Sequence, residues 1–198
     1  MSTARRLVLA VTGASGAIYA QRALSLLSAA ITEGADLRVD WVASATAGQV
    51  WAAEREEPLP DAFPGLQRWD RHDFEAPFAS GSSAPDAVVL MPCSMSNLAR
   101  VANGGGDDLI ARACEVALKE RKTLILVVRE TPLSLVHLRN MVAATEAGAI
   151  ILPAVPSFYA GVSTLEQAVD TVVARVFDRA GVSELLGAEL LRRWGASA

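Results

Sequence analysis

The chain has 198 residues, of which 52% are hydrophobic, and its formal net charge is −4. This length is most simply one domain with a substantial core, and the acidic balance argues against a nucleic-acid surface. The apolar runs are too short to span a bilayer, so we expect no membrane segment, and the surplus of apolar side chains favours a homo-oligomer. Cys93 and Cys114 lack metal-ligand spacing, and with no signal peptide in front of the first predicted strand the expected compartment is the cytoplasm.

Predicted strands and helices alternate along the chain, with no internal repeat. Strands are expected where short apolar runs stand between turn residues, namely before the Gly13 turn and over 37–43, 66–69, 87–91, 123–128 and 149–152. Helices are expected over 17–33, 46–56, 134–147 and 165–179, between the 92–97 turn and residue 120, and as a C-terminal tail over about 183–194. This alternation predicts an α/β single domain with a Rossmann-like, doubly wound parallel sheet that binds ligands at the carboxyl ends of its strands.

The turn after the first predicted strand reads Gly13-Ala14-Ser15-Gly16, and a helix is expected to begin directly behind it. The first N–H groups of a helix have no partner within it and carry positive potential, so such a loop suits an anion or a phosphate ester. The spacing matches neither the Gly-x-Gly-x-x-Gly of dinucleotide sites nor a Walker loop, which favours a mononucleotide or flavin phosphate. The alternative is an ordinary strand-to-helix turn in which Ser15 caps the helix.

Further polar residues follow the other predicted strands: Ser44, the turn 93–97, and Arg129 with Glu130. Because the carboxyl ends of parallel strands share one edge of a sheet, we expect these residues to lie near the first loop. A guanidinium at position 129 can bind a phosphate, and a carboxylate at position 130 can pass a proton to a leaving oxygen. A structural ion pair between the two side chains explains their presence equally well.

Six segments together resemble the flavin prenyltransferase family, the small flavoproteins that make prenylated FMN for aromatic-acid and ubiquinone-pathway decarboxylases. They occur in family order over nearly the whole chain and are Thr12-Gly13-Ala14-Ser15-Gly16-Ala17, Ala79-Ser80-Gly81-Ser82-Ser83, Pro92-Cys93-Ser94-Met95-Ser96, Val116-Ala117-Leu118-Lys119-Glu120-Arg121, Val128-Arg129-Glu130-Thr131-Pro132-Leu133 and Leu152-Pro153-Ala154-Val155-Pro156-Ser157-Phe158-Tyr159. The resemblance implies one flavin-binding domain over 1–198, a homo-oligomer that is a dodecamer in the family, and FMN bound between subunits. It also implies a functional link to a decarboxylase that uses prenylated FMN.

The resemblance assigns roles to individual positions. The family's FMN positions are occupied here by Gly13, Ala14, Ser15, Ser44, Ser94, Met95, Ser96, Asn97 and Arg129. The positions that hold the phosphate of dimethylallyl phosphate are occupied by Lys119, Arg129, Glu130, Tyr159 and Arg175, and Phe74 adds a π face to the substrate site. Catalytic roles are implied for Ser15, Glu54, Lys119 and Glu130, with Glu54 on the isoprenoid side.

The implied reaction joins the dimethylallyl group to N5 and then to C6 of reduced FMN and releases phosphate. The leaving phosphate requires cations and a proton source, for which the basic residues and Glu130 are suited. The allylic cation requires a dry pocket with π faces. Asp107-Asp108 suits a helix cap better than a magnesium clamp, so we expect no metal, and the phosphate charge is left to Arg and Lys.

The chain departs from the family pattern at three places. Phe74 stands where many relatives have Trp, Ala45 where they often have Lys, and Ala160-Gly161-Val162 where His-x-Pro is usual. We expect these changes to bear on substrate detail and rate more than on flavin binding.

Two other functions are compatible with the same fold. An FMN-dependent decarboxylase of the cysteine-decarboxylase group relies on a catalytic His and a Pro-Ala-Ser-Ala-Asn-Thr-like segment, whereas this chain has Pro-Cys-Ser-Met-Ser-Asn and no His early in the predicted helix. A flavin carrier or accessory subunit of an aromatic-acid decarboxylase has no need of Lys119, Glu130, Tyr159 and Arg175 together.

Overall fold

A six-stranded parallel sheet forms the centre of the computed structural model, which describes residues 4–158 and 161–186. In chain order the strands are β1 (Arg5–Val11), β2 (Leu37–Ala43), β3 (Gln67–Trp69), β4 (Ala87–Cys93), β5 (Thr123–Val128) and β6 (Ile150–Ile151). Their order across the sheet is β3-β2-β1-β4-β5-β6, and each neighbouring pair is parallel. The winding therefore reverses between β1 and β4, which is where open parallel sheets bind ligands.

Helices cover both faces of the sheet. In chain order they are α1 (Ala17–Thr32), α2 (Ala47–Arg55), α3 (Met95–Asn103), α4 (Leu109–Lys119), α5 (Leu135–Glu146) and α6 (Leu165–Ala180). The buried residues of α1, α2 and α6 form one apolar cluster with the sheet, and those of α3, α4 and α5 form another on the opposite face. Alternate residues of a strand point to opposite faces, so each central strand contributes to both clusters, and β4 is buried throughout.

The predicted doubly wound fold is confirmed, and its boundaries follow the hydrophobic pattern closely. β2 and β5 have the predicted bounds, α1 and α6 differ from prediction by one residue at one end, and α2 and α5 differ by one residue at each end. The prediction for β4 was wrong, because the strand does not stop at Met91 but continues to Cys93, with a register shift against β5 between Leu90 and Cys93. Pro92 has no N–H for the ladder, and prolines within sheets are accommodated at such irregularities.

The last part of the chain lies largely outside this description. The tail predicted over about 183–194 begins with a short 3-10 helix, Ser183–Leu185, and residues 187–198 lie outside the described residues. The same is true of the predicted site residue Tyr159. Over 4–158 and 161–186, none of the helices has the length and apolar character needed to span a membrane.

Candidate functional site

A carboxylate from α2 closes the loop 13–16. Gly16 ends the loop with a positive φ of 114°, and no side chain of the loop caps α1. Instead, Glu54 in the last turn of α2 accepts hydrogen bonds from the Gly16 N–H at 2.9 Å and the Ala17 N–H at 2.7 Å, and its carboxylate also bonds to the Ser15 side chain. The start of α1, where we expected a phosphate, thus already holds an anion of the protein itself. These two amides are unavailable to a ligand while Glu54 keeps this position.

The partners of Glu54 favour its charged form. Burial alone would raise the pKa of this carboxyl group, but the hydrogen bonds from Ser15, Gly16 and Ala17 and the nearby charge of Arg129 lower the pKa below its ordinary value. The dipole of α1 acts in the same direction. Glu54 is therefore an anion at neutral pH, in direct contact with a hydroxyl that can relay a proton.

Arg129 lies on the other side of the same loop. It directly follows β5 and is half-buried, and a Cβ built on Gly16 would lie 3.8 Å from Arg129 Cγ and 3.0 Å from Cδ2 of the Tyr19 ring. Burial raises the pKa of Tyr19, and the charge of Arg129 offsets part of that rise. The ring, the guanidinium stem and the loop backbone therefore pack together.

The ion pair that we considered between Arg129 and Glu130 does not form. The Glu130 carboxylate accepts a hydrogen bond from the Thr131 N–H at 2.9 Å, and among the described residues Arg129 has no salt bridge. A half-buried guanidinium that forms no salt bridge within the described residues is suited to an anionic ligand.

A second loop is joined to the first through Thr12. The buried Thr12 hydroxyl donates to the Pro92 carbonyl at 2.7 Å and accepts from the Ser94 N–H at 2.9 Å. Ser94 in turn caps α3, and its hydroxyl accepts a hydrogen bond from the Asn97 side-chain amide at 2.9 Å. Thr12 therefore holds this turn beside the loop 13–16. The turn leads into the predicted FMN residues, which are Ser94, Met95, Ser96 and Asn97.

The turn after β2 packs against the first loop as well. The Ser44 N–H donates to the Val11 carbonyl at 2.9 Å, and a Cβ on Gly13 would lie 2.7 Å from Thr46 Cβ, so only glycine fits there. The Ser44 hydroxyl oxygen is buried and has no hydrogen-bond partner in the described part of the chain. Buried polar atoms in proteins are normally paired, so an orphaned hydroxyl at the ligand-binding edge fits a polar ligand such as FMN.

Lys119 lies at the opposite edge of the sheet. It ends α4 four residues before β5 begins, whereas Arg129 directly follows that strand. The six residues of β5 extend about 20 Å at the usual rise of a strand. Within one chain the two cations therefore cannot bind the same phosphate.

The surroundings of Lys119 are built by the segment that contains the Ser-Gly-Ser-Ser motif. This segment precedes α4 in the chain and lies along that helix. The Leu109 N–H donates to the Arg71 carbonyl at 2.7 Å, and Arg112 Nε donates to the Ala79 carbonyl at 2.9 Å. Its 3-10 helix Gly81–Ser83 reaches the end of α4, where Lys119 pairs with Glu120. Phe74, earlier in the segment, is 50% exposed.

Two groups of residues are thus defined. The carboxyl-edge cluster consists of Ser15, Tyr19, Ser44, Glu54, Ser94 and Arg129, and the amino-edge cluster of Gly81, Arg112, Lys119 and Glu120. Arg175 belongs to neither, since it is exposed on α6, 3.6 Å from Asp178. In the described ranges no three His, Cys, Asp or Glu side chains are grouped to hold a metal ion.

Sequence reasoning gave no site role to two residues that shape the carboxyl-edge cluster. Thr12 is a polar residue at the end of an apolar strand, and that contrast was a usable signal. Tyr19 stands three residues after Gly16 in the first turn of α1, a spacing that brings a helical side chain back over the preceding turn.

Comparison with known proteins agrees with this architecture. The Flavoprotein family model matches residues 1–177. The flavin prenyltransferase UbiX of Pseudomonas aeruginosa is 41% identical in an alignment that covers 98% of this chain and 96% of the relative.

Two solved structures extend the likeness to the whole fold. A crystal structure of AnUbiX (PadA1) in complex with FMN and dimethylallyl pyrophosphate has a TM-score of 0.83 at 36% identity, covering 98% of this chain and 99% of that one. A dodecameric FMN-dependent UbiX-like decarboxylase from Escherichia coli O157:H7 has a TM-score of 0.84 at 35% identity, covering 96% and 100% of the two chains. Coverage of this extent includes both edges of the sheet.

Proposed function

This chain belongs to the flavin prenyltransferase family of flavoproteins, and on that premise we propose that it transfers the dimethylallyl group of dimethylallyl phosphate to reduced FMN. The observation that carries the proposal is the carboxyl-edge cluster, where the Glu54 anion, Ser15 and Arg129 meet around one loop. When bound, reduced FMN supplies N5 and C6 as the atoms that accept the prenyl group. The proposal includes one flavin-binding domain over 1–198, a metal-independent reaction and the cytoplasm as its location.

The residues proposed to hold FMN come from three loops at the carboxyl edge. They are Gly13, Ala14, Ser15, Ser44, Ser94, Met95, Ser96, Asn97 and Arg129. The hydrogen bonds of Thr12 and the close packing of Gly13 on Thr46 support this assignment, because they hold the three loops against one another. The orphaned Ser44 hydroxyl supports it further, since a bound polar ligand would satisfy that atom.

Ser15 and Glu54 are proposed to handle protons beside the flavin. A carboxylate whose pKa is below its ordinary value is ionised at the start of the reaction, so it stabilises positive charge, and a proton that it takes up is quickly returned. The Ser15 hydroxyl, hydrogen-bonded to Glu54, would carry a proton between that carboxylate and the ligand. Their position at the N-terminus of α1 fixes both groups through backbone contacts.

The phosphate of the prenyl donor is proposed to lie between two copies of the chain. Arg129 and Glu130 come from the carboxyl edge of one subunit, and Lys119 comes from the amino edge of another, because one chain separates them by the length of β5. Phe74, Tyr159 and Arg175 complete the proposed donor site. A carboxylate at position 130 is suited to protonate the leaving phosphate, while the cations neutralise it.

The exposed face of α5 supports a homo-oligomer, proposed to be a dodecamer. Ala144 is its only buried residue, whereas Leu135, Val136, Leu138 and Val142 are between 45% and 62% exposed. Contiguous apolar surface of this kind marks contacts between proteins.

The decisive experiment is an anaerobic incubation of the purified protein with reduced FMN and dimethylallyl phosphate, followed by mass spectrometry of the released flavin. We expect a flavin heavier by one five-carbon prenyl unit, with free phosphate formed in equal amount and no inhibition by a chelator. The product should also activate a decarboxylase that depends on prenylated FMN, which is the proposed partner reaction. A control with oxidised FMN should give no transfer.

Two results would favour other functions. Tight binding of FMN that is returned unchanged, with no phosphate released, would indicate a flavin carrier. Release of carbon dioxide from a peptide with a C-terminal cysteine, without a prenyl donor, would indicate a decarboxylase.

A further inference from the structure

The hydrogen-bond ladder between the two central strands ends before the ligand-binding edge. β1 and β4 pair from Leu7 with Ala87 through Ala10 with Leu90. Pro92 cannot donate to the ladder, and β4 also changes register against β5 at this point. This is the place where the winding of the sheet reverses, so the strands part where a crevice is needed.

One side chain spans this gap. The Thr12 hydroxyl donates to the Pro92 carbonyl at 2.7 Å and accepts from the Ser94 N–H at 2.9 Å, and the residue is 1% exposed. Both distances lie in the ordinary range for well-formed hydrogen bonds. A hydroxyl donates and accepts through one oxygen atom, so it replaces hydrogen bonds of the ladder that proline interrupts.

Each end of this bridge adjoins a segment proposed to hold FMN. Thr12 immediately precedes the loop 13–16, and its partner Ser94 caps α3 and bonds to Asn97. Loss of the hydroxyl would remove this hydrogen-bond partner from the carbonyl of buried Pro92 and from the N–H of half-buried Ser94, a penalty that the chain can reduce by moving the turn. Such a movement would change the separation of the two flavin segments.

We propose that Thr12 is a positioning residue for FMN, whose hydroxyl sets the width of the crevice between the loop 13–16 and the turn 94–97. The proposal rests on the proposed function, because FMN is taken as the ligand of that crevice. Thr12 acts through the two segments and not by contact with the flavin.

The test compares Thr12→Val, which keeps the shape and removes the hydroxyl, with Thr12→Ser, which keeps the hydroxyl. Thr32→Val is the matched control, since the Thr32 hydroxyl donates to the Ser28 carbonyl at the far end of α1. The dissociation constant of FMN is measured by quenching of flavin fluorescence, without a prenyl donor. We expect Thr12→Val to weaken FMN binding about tenfold or more, and the other two variants to stay within about threefold of the parent protein.

A second measurement does not depend on flavin. Amide hydrogen exchange at Ser94 should be slow in the unsubstituted protein and in Thr12→Ser, and fast in Thr12→Val. Parent-like FMN affinity in Thr12→Val, or equal weakening in Thr12→Ser, would overturn the proposal. If Thr12→Val does not fold, rapid exchange at Ser94 in the unsubstituted protein would overturn it instead.

The outcome is separable from the fate of the proposed function. A protein that binds FMN through this bridge but transfers no prenyl group would contradict the prenyltransferase assignment alone. A protein that transfers the group while Thr12→Val binds FMN normally would contradict only the role of Thr12.

Discussion

The two edges of the sheet hold their charged side chains in opposite ways. At the carboxyl edge the contacts join distant parts of the sequence, as when Glu54 binds the start of α1, and Arg129 has no salt bridge among the described residues. At the amino edge the cations pair with sequence neighbours, Lys119 with Glu120 and Arg112 with Glu115. Local surface pairs of that kind contribute little to stability and are easily exchanged. We therefore expect each site to combine the carboxyl edge of one subunit with the amino edge of another.

The largest effect is expected at the amino edge. Lys119→Ala should lower kcat/KM for dimethylallyl phosphate by about a thousandfold, because a cation that contacts the leaving phosphate is lost. FMN affinity should change by less than about threefold, since the flavin residues belong to the opposite edge. Steady-state phosphate release and flavin fluorescence measure the two quantities. A parallel loss of FMN affinity would contradict the division between the edges.

Mixed oligomers test whether the two edges of one site come from different copies of the chain. Subunits with Lys119→Ala and subunits with Glu54→Gln, co-expressed in equal amounts, should form some sites in which both edges are intact. Random assembly makes about a quarter of the sites complete, so activity should return to about that fraction of the parent value. Activity no higher than that of the single variants would contradict a site shared between copies.

The next largest effect is expected at Glu54. Glu54→Gln keeps the shape of the side chain but removes the charge that takes up and returns protons, so kcat should fall about a hundredfold. Glu56→Gln, at an exposed position just after α2, is the matched control and should be neutral. Single-turnover formation of prenylated flavin measures the change. Equal rates in Glu54→Gln and the parent protein would remove Glu54 from the chemistry.

Glu54 also predicts a pH dependence of stability. Its pKa is lowered in the folded protein, so the unfolded chain binds the proton more readily. The stabilisation is therefore complete above the ordinary glutamate pKa of about 4.3 and is lost as the pH falls towards the folded value. The difference in Tm between the parent protein and Glu54→Gln should stay nearly constant from about pH 7 to about pH 5 and should narrow as the pH falls below about 4.3. A difference that does not narrow below that pH would indicate that the lowered pKa is not the cause.

Alanine substitutions at two glycines, one at each edge of the sheet, compare how tightly the two edges are packed. Gly13→Ala would place a Cβ 2.7 Å from Thr46 Cβ, close to the backbone, so the free energy of unfolding should fall, by about 1–3 kcal/mol. Gly81→Ala would meet only the flexible ends of Lys119 and Glu120, which can move aside, and should cost less than about 0.5 kcal/mol. Denaturant unfolding measures both, and Thr46→Gly should partly rescue Gly13→Ala. Equal losses in the two alanine variants would contradict the difference in packing.

The fold and the convergence of loops could be predicted from the sequence because they depend on local patterns. Apolar runs with glycine and proline between them define the strands, and parallel strands bring Ser44, Ser94 and Arg129 to one edge. The sequence could also have predicted that Lys119 and Arg129 lie at opposite edges of the sheet, because one residue precedes a parallel strand and the other follows it. The family resemblance grouped Lys119 with Arg129 by role, and role does not say which copy of the chain supplies a residue.

Other features depend on side-chain contacts that no local pattern encodes. Glu54 binds amides 37 and 38 residues away, and no pattern around position 54 indicates those contacts. Thr12 reaches residues about 80 positions along the chain, and the need for it arises from a strand extended through Pro92, which the sequence pattern ended too early.

Tyr19 provides the smallest expected effect and the finest test of how the carboxyl edge is held. Its ring packs on Gly16 close to the stem of Arg129, but its hydroxyl lies 3.4 Å from the Ala154 carbonyl, a long hydrogen bond. Tyr19→Phe should therefore raise the KM for dimethylallyl phosphate less than about threefold, whereas Tyr19→Ala, which frees the Arg129 stem, should raise it about tenfold or more. If Tyr19→Phe were as damaging as Tyr19→Ala, the hydroxyl and not the ring would hold Arg129, and the carboxyl edge would depend on a polar network where we infer packing.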